Sequence, residues 1–182
     1  MEASANVEYY IVARNNDTYS KLDWALELIV DGSAVQSLIA DGIFEKLAAK
    51  GGRMLQFADS IVEDIELRNQ DNVPNKEIGN IKVKFETCKI IKSKPEPYEF
   101  SFKQSTISSC KDSLNTSLTS KTGVTKIKQS NLSAVAVDDI SKLGTLQLIY
   151  KSRTWFKAVG IINEELPSLV RGFHSYGLRV NL

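Results

Sequence analysis

The sequence predicts a mainly β protein, an antiparallel β-sandwich of jelly-roll-like form with two or three short helices. Apolar and polar residues alternate with a period of two in Gly79–Phe85 (GNIKVKF), in Gly144–Tyr150 (GTLQLIY) and in Leu22–Val30. Successive side chains of a strand point to opposite faces, so each stretch is typical of a half-buried strand. Strands do not alternate with helices, which argues against a parallel sheet. We expect Gly79–Phe85 and Gly144–Tyr150 in the middle of the sandwich.

The first strands follow from composition and turn chemistry. Val7–Ala13 is rich in aromatic and β-branched residues, which favour strands. Asp31-Gly32 follows Leu22–Val30 and predicts a hairpin, because a type I′ turn needs positive φ at both central residues. Ser33–Ile39 is then the returning strand.

The period changes after this hairpin, where the sequence predicts a short helix. Asp41 is its candidate N-cap, and Gly51-Gly52 would end it. Its apolar positions are Ile43, Phe44, Leu47 and Ala48. Strands are expected at Arg53–Ile61 and Asn80–Ile91, separated by a polar, acidic loop.

The second half predicts further strands at Tyr98–Lys103, Ala134–Val137 and Gly144–Lys151, for a total of seven or eight. Gln104–Ser133 is unusually long for a loop in a compact domain, so it is either a functional loop or hides a strand at Gly123–Lys128. Ser152–Val159 predicts a short helix that Gly160 ends. Another short helix is expected in the tail, through Leu166, Leu169, Val170 and Phe173.

Length and composition predict one domain, 1–182, with 163–182 as a C-terminal extension. The 182 residues carry a net charge of +1, unlike strongly basic nucleic-acid binders. Two cysteines are too few for a disulfide scaffold, although a Cys88–Cys110 pair stays an alternative to a plain thiol at Cys88. Neither a signal peptide nor an apolar run of about 20 residues is visible, so we expect a cytoplasmic or nuclear protein without membrane contact.

Several scattered segments resemble a mostly fungal family of uncharacterised β-rich domains, a domain of unknown function. The similarity covers roughly residues 7–162. The segments that carry it are Tyr10–Asn15 (YIVARN), Leu28–Gly32 (LIVDG), Met54–Ala58 (MLQFA), Ile78–Phe85 (IGNIKVKF), Tyr150–Arg153 (YKSR), Trp155–Ala158 (WFKA) and Gly160–Ile162 (GII).

The resemblance implies a β-sandwich with no established activity. Members of this family usually begin with an extra strand pair, which this chain has no room for before Tyr10, whereas it adds Asn163–Leu182 at the other end. Either this tail replaces the missing pair, or a sheet edge is left open for a partner, since unpaired edges are templates for strand addition.

Candidate chemistry is sparse, and we expect no catalytic, cofactor or metal site. The single histidine, His174, has no nucleophile signature around it, and zinc would lack its usual four ligands. An acidic stretch offers carboxylates, but its spacing fits no standard calcium loop, which favours a solvated loop. Its acidic residues are Glu63, Asp64, Glu66 and Asp71.

Two lysine clusters and one glycine-rich turn are candidate anion contacts. Lys82 and Lys84 lie on the polar face of a strand, and Lys126 and Lys128 belong to a second cluster. The nearby aromatic residues look core-facing, which argues against nucleic acid. Lys50–Arg53 (KGGR) could hold an anion through backbone N–H groups, or could simply be the end of a helix.

The remaining large apolar residues predict the core, and two aromatic residues predict a contact surface. Trp155 and Phe156 are neighbours on a short helix and should diverge, so that one is exposed as an anchor. The expected core residues are Trp24, Leu26, Leu28, Phe57, Ile81, Val83, Phe85, Phe100, Leu148 and Tyr150.

The sequence therefore favours a non-enzymatic module that binds another protein or itself, through an open edge or exposed loops. The alternatives are a lectin-like sandwich that binds carbohydrate or another ligand, and a chromatin- or nucleic-acid-associated module. Its candidate partner-binding residues are Trp155, Phe156, Lys82, Lys84, Lys126 and Lys128.

Overall fold

Two large sheets share one apolar core in the computed structural model, which describes residues 1–14, 23–40, 44–62, 77–93, 102–107, 117–128, 135–162 and 175–181. The strands are β1 Glu2–Ala3, β2 Glu8–Arg14, β3 Asp23–Val30, β4 Ser33–Ala40, β5 Phe44–Leu47, β6 Arg53–Asp59, β7 Ile61–Val62, β8 Asn80–Ser93, β9 Thr106–Ile107, β10 Leu118–Lys126, β11 Val135–Ile149, β12 Lys151–Ser152 and β13 Ser175–Asn181. Two further strand pairs, β1 with β12 and β7 with β9, are short. Helix α1 is Arg153–Ala158, and Lys50–Gly52 forms a 3₁₀ turn. The predicted mainly β sandwich is confirmed.

The first sheet is built around β2, with the strand order β10-β6-β2-β13. Strand β13 pairs parallel with the whole of β2, from Ser175 opposite Glu8 to Asn181 opposite Arg14. The tail of the chain therefore adds a strand to this sheet. The tail residues of the predicted second helix lie outside the described residues.

The predicted helix after the first hairpin is wrong over Phe44–Ala48. Phe44–Leu47 is instead strand β5, antiparallel to β2, with Leu47 fully buried opposite Ile11. The apolar spacing of so short a segment fits either period, and pairing with β2 decides between them. Gly51 and Gly52 do not end a helix: both have positive φ in the 3₁₀ turn that leads from β5 into β6.

The second sheet is antiparallel, with the strand order β11-β8-β3-β4. The predicted hairpin between β3 and β4 is confirmed, with φ of 51° at Asp31 and 79° at Gly32. Strand β8 lies in the middle, as expected from Gly79–Phe85. Strand β11 does not: among the described strands it pairs only with β8, so the Gly144–Tyr150 segment lies at an edge.

The core lies between these sheets, where alternate residues of their strands meet. Strand β3 alternates half-buried and buried residues along its full length, which confirms the periodicity argument. Of the expected core residues, Phe100 lies outside the described residues and Leu148 is only partly buried. The others are buried, namely Trp24, Leu26, Leu28, Phe57, Ile81, Val83, Phe85 and Tyr150.

The second half of the chain forms fewer and longer elements than predicted. Strand β10 covers Leu118–Lys126, so the long Ser/Thr/Lys region does hide a strand, longer than the expected Gly123–Lys128. Two predicted strands are one, β11, whose pairing with β8 shifts register at three places before Gly144. Helix α1 forms as expected; the Ser152 side chain accepts from the N–H of Trp155, and Gly160 follows with positive φ.

Cys88 is buried although the alternation of β8 places it on the outer face of the sheet. It lies opposite Asp23, on the sheet face turned away from the core, but only 1% of its surface is exposed. Alternation determines which face of the sheet a side chain lies on, but it does not determine whether that face is exposed to solvent. Burial, together with Asp23 and Glu86, raises the pKa of its thiol. Cys110 lies outside the described residues.

Candidate functional site

The outer edge of β11 is the clearest candidate for an interaction surface. From Gly144 to Ile149 the strand pairs with β8 in unbroken antiparallel register, Gly144 opposite Phe85 and Ile149 opposite Asn80. No other strand among those described pairs with this segment. The segment thus forms one border of the second sheet.

The direction of the backbone groups at this edge follows from one hydrogen bond. The N–H of Tyr150 donates to the carbonyl of Gly79 at 2.8 Å, so Tyr150 turns its backbone groups toward β8. Backbone groups alternate sides along an antiparallel strand, so Leu148 and Leu146 also face β8. The N–H and C=O groups of Thr145, Gln147 and Ile149 therefore point away from the sheet.

The side chains of this segment carry none of the features that usually protect an edge. Natural edge strands are blocked by charged residues, proline or bulges. Thr145–Ile149 has no charge and no proline, and the bulges of β11 all lie before it. Leu146 and Ile149 are 42% and 52% exposed. Leu146 and Leu148 extend the core-facing row of side chains to a border where little covers them.

The far end of the edge is closed by the start of the chain. The amino group of Met1 donates to the carbonyl of Ile149 at 2.8 Å, and the N–H of Lys151 donates to the carbonyl of Met1 at 3.0 Å. Strand β1 continues this contact as a parallel pair with β12. The outward carbonyl of Ile149 is therefore occupied. We call Thr145–Ile149 the β11 edge; its uncovered outward groups are the N–H and C=O of Thr145 and Gln147 and the N–H of Ile149.

Helix α1 adds apolar surface a few residues further along the chain. Trp155 and Phe156 are both half-buried and contact each other edge to face, with ring centroids 5.1 Å apart, so neither diverges into solvent as expected. The more exposed apolar side chains follow the helix: Val159 is 47% exposed and Ile161 64%. The exposed apolar side chains of this segment therefore lie after the two aromatic residues that the sequence singles out.

The predicted lysines fall into two different settings. Lys82 pairs with Glu77 at 2.5 Å, and Lys84 pairs with Glu27 at 2.8 Å, on the outer face of the second sheet. Neighbouring carboxylates thus balance the charge of this first cluster. Lys126 and Lys128 are exposed at the end of β10, on the other sheet.

A buried polar network holds the end of β11 in place, and sequence reasoning missed it. Asp31 is fully buried; its Oδ1 accepts from the N–H of Gly79 and its Oδ2 from the N–H of Ser120, both at 2.8 Å. The hydroxyl of Tyr150 donates to both oxygens, at 2.8 and 2.9 Å. One carboxyl thus joins the β3–β4 turn to β10, to the residue before β8 and to the residue after β11. An Asp-Gly turn is so common that its sequence gives no signal of this role.

The hydrogen bonds between the hydroxyl groups of the network can run in only one consistent direction. Tyr150 uses its single proton on Asp31, so Ser120, 3.1 Å away, must donate to the Tyr150 oxygen. The hydroxyl of Tyr9, 2.7 Å from Ser120, must then donate to Ser120. Burial raises the pKa of the Asp31 carboxyl against the opposing effect of these donors, and burial also raises the pKa of both tyrosines. The network is buried away from solvent, and its role is to hold these strands together.

The described residues contain no group of three or more His, Cys, Asp or Glu side chains placed to hold a metal ion. His174 and the acidic residues Glu63, Asp64, Glu66 and Asp71 lie outside the described part of the chain. Within that part, no helix is long and apolar enough to span a membrane.

Comparisons with protein-family models, with curated proteins and with solved structures found no match to this chain. The resemblance to the fungal domain family therefore stays a prediction.

Proposed function

We propose that this protein is a non-enzymatic interaction module that associates with a second copy of itself through the β11 edge. The observation that carries the proposal is an unbroken strand segment whose outward backbone groups, except the Ile149 carbonyl, are neither paired by a described strand nor protected by charge. Such an edge is a template for the addition of another strand.

A second copy fits this edge because the segment is complementary to itself. Antiparallel pairing about a two-fold axis at Gln147 would set Gln147 against Gln147 and Thr145 against Ile149. The N–H of Ile149 can donate to the second copy, whereas its carbonyl stays bound to Met1. Leu146 would lie beside Leu148 and cover the apolar surface left at the border. No charged side chain would meet its like, so the usual electrostatic penalty of pairing identical strands is missing.

The lectin-like alternative has less support. Carbohydrate-binding sandwiches need exposed aromatic side chains on a concave face, and the exposed large apolar residues of the described chain are all aliphatic. They are Ile61, Val124, Leu146, Ile149, Val159 and Ile161. Membership of the fungal family and a cytoplasmic or nuclear setting remain part of the proposal, supported by the sequence alone.

Light scattering on the purified chain, run over a range of concentrations, tests the proposal with the substitution Gln147→Lys. This change places two like charges against each other at the two-fold axis, while the exposed side chain can still point into solvent in the monomer. We expect the wild-type protein to form dimers and the variant to be monomeric at the same concentration.

Thr122→Lys is the matched control, because Thr122 is an exposed residue of β10, an edge strand of the other sheet, and gains the same charge. It should dimerise as the wild type does. A monomeric wild-type protein, or a Gln147→Lys variant that dimerises unchanged, would contradict the proposal.

A further inference from the structure

A basic cluster forms at one end of the first sheet from two segments far apart in sequence. Arg53, at the start of β6, lies directly opposite Lys126, at the end of β10. The carbonyl of Gly52 accepts from the N–H of Ile127 at 2.8 Å, which holds the 3₁₀ turn beside the residues after β10. We call Lys50, Arg53, Lys126 and Lys128, all exposed, the basic end.

The arrangement of charge here differs from that on the second sheet. Like charges directly opposite each other on neighbouring strands destabilise a sheet, and Arg53 and Lys126 are such a pair. Within the described chain no carboxylate forms an ion pair with Arg53, Lys126 or Lys128. Lys82 and Lys84, by contrast, each have a glutamate partner.

The acidic side chain that contacts this part of β10 is already engaged. Glu8 accepts from the N–H groups of Val124 and Thr125 through a single oxygen, at 2.5 and 3.0 Å. Burial pushes the pKa of Glu8 up, but these bonds and the Thr125 side chain hold it below its ordinary value. The carboxylate therefore fixes the bulge of β10 and does not serve as a counter-ion of the basic end.

We propose that the basic end binds the phosphate backbone of a nucleic acid through Arg53, Lys126 and Lys128, without reading its sequence. Guanidinium and ammonium groups are the usual phosphate ligands, and Arg53 can bind a phosphate with two parallel hydrogen bonds. Lysine is depleted in the centres of protein–protein interfaces, which favours a polyanion over a protein partner. The cluster contains no aromatic residue on which a base could stack, so binding should not depend on base identity.

Fluorescence polarisation with labelled duplex and single-stranded oligonucleotides of about 20 nucleotides tests this proposal, with the dissociation constant measured against salt. For three phosphate contacts on a duplex, we expect a logarithmic salt slope of about −2.7, or about a 40-fold loss of affinity between roughly 50 and 200 mM salt. Scrambling the base sequence should leave the affinity unchanged.

The double variant Lys126→Gln/Lys128→Gln should reduce the magnitude of the salt slope by about 2, because two phosphate contacts are lost. The matched control, Lys82→Gln/Lys84→Gln, removes the same charge from the other sheet and should keep the wild-type slope. Circular dichroism shows whether each variant is folded.

The proposal is overturned if the wild-type protein binds neither oligonucleotide at about 20 mM salt, or if both double variants lose affinity equally. Tighter binding to polyglutamate of the same length than to the oligonucleotides would also overturn it, and would indicate an acidic protein segment instead. The β11 edge lies on the other sheet, so this result and the dimerisation result are independent.

Discussion

Asp31 shows how one side chain can fix the relative positions of distant strands. Its positive φ forms the hairpin turn, and its buried carboxyl binds backbone N–H groups of Gly79 and Ser120 and the hydroxyl of Tyr150. These donors are all satisfied only if both terminal atoms of the side chain are hydrogen-bond acceptors, as the two carboxylate oxygens of aspartate are. The residue therefore has two roles, and its sequence context predicts only the first.

Asp31→Asn separates the two roles. Asparagine tolerates the positive φ, so the turn is kept, but its amide nitrogen must face one of the backbone N–H donors. A buried donor left without an acceptor costs about 2 kcal/mol, so we expect a loss of that size in the free energy of unfolding, measured with urea. Glu27→Gln, which breaks an exposed ion pair with Lys84, is the control and should change stability by less than about 1 kcal/mol. An unchanged urea midpoint for Asp31→Asn would contradict the role of the network.

The same substitution has a pH dependence of known sign. Burial raises the pKa of Asp31 in the folded protein, so the folded state binds this proton more tightly than the unfolded state does. The resulting stability is fully present below the unfolded pKa of about 3.9 and is lost as pH rises through the folded pKa. The difference in unfolding free energy between wild type and Asp31→Asn should therefore be larger in acid than at pH 8. A gap that widens with rising pH would show that the folded pKa is lowered instead.

At the scale of elements, alanine substitutions at two glycines are expected to have different effects on stability. A Cβ added to Gly123 in β10 would lie 2.9 Å from the carbonyl oxygen of Met54 and would also meet the carboxylate of Glu8, which fills the space beside it. A Cβ on Gly144 in β11 would meet nothing within 4 Å. Gly123 is thus required by close packing, and Gly144 is not.

Gly123→Ala should destabilise the protein by about 1–3 kcal/mol, since the neighbouring backbone has to move. Gly144→Ala should be neutral, or stabilise by up to about 1 kcal/mol by restricting the unfolded chain. Thermal unfolding of the two variants compares them directly. Equal effects would mean that the Glu8 contact does not hold the bulge of β10.

The elements that the sequence predicts well are those whose own pattern decides their structure. Strand β3 has a long alternation and an Asp-Gly turn after it, and the structure confirms the strand and the hairpin. Strand β5 is four residues long, and its partner β2 decides its conformation, so its local spacing pointed to a helix. The sequence predicts two strands in place of β11 because bulges interrupt its period. Long-range pairing, which a single sequence does not display, accounts for each of these errors.

At the scale of the molecule, the same limit applies to the candidate site. Periodicity predicted that Leu146, Leu148 and Tyr150 share a face, but not that their strand lies at a border. The resemblance to the fungal family implies an open edge only as one of two alternatives, and without its position. The basic end could not be predicted at all, because Arg53 and Lys126 become neighbours only through the pairing of β6 with β10.

The central claim is that the outward backbone groups of the β11 edge pair with a second copy. Residue-resolved amide hydrogen exchange of the wild-type protein and of Gln147→Lys, at the same high concentration, tests it most directly. We expect the amides at positions 145, 147 and 149 to exchange slowly in the wild type and fast in the variant. Those of Leu146, Leu148 and Tyr150, which face β8, should be protected in both. Equal exchange at positions 145, 147 and 149 in the two proteins, whether fast or slow, would contradict the claim.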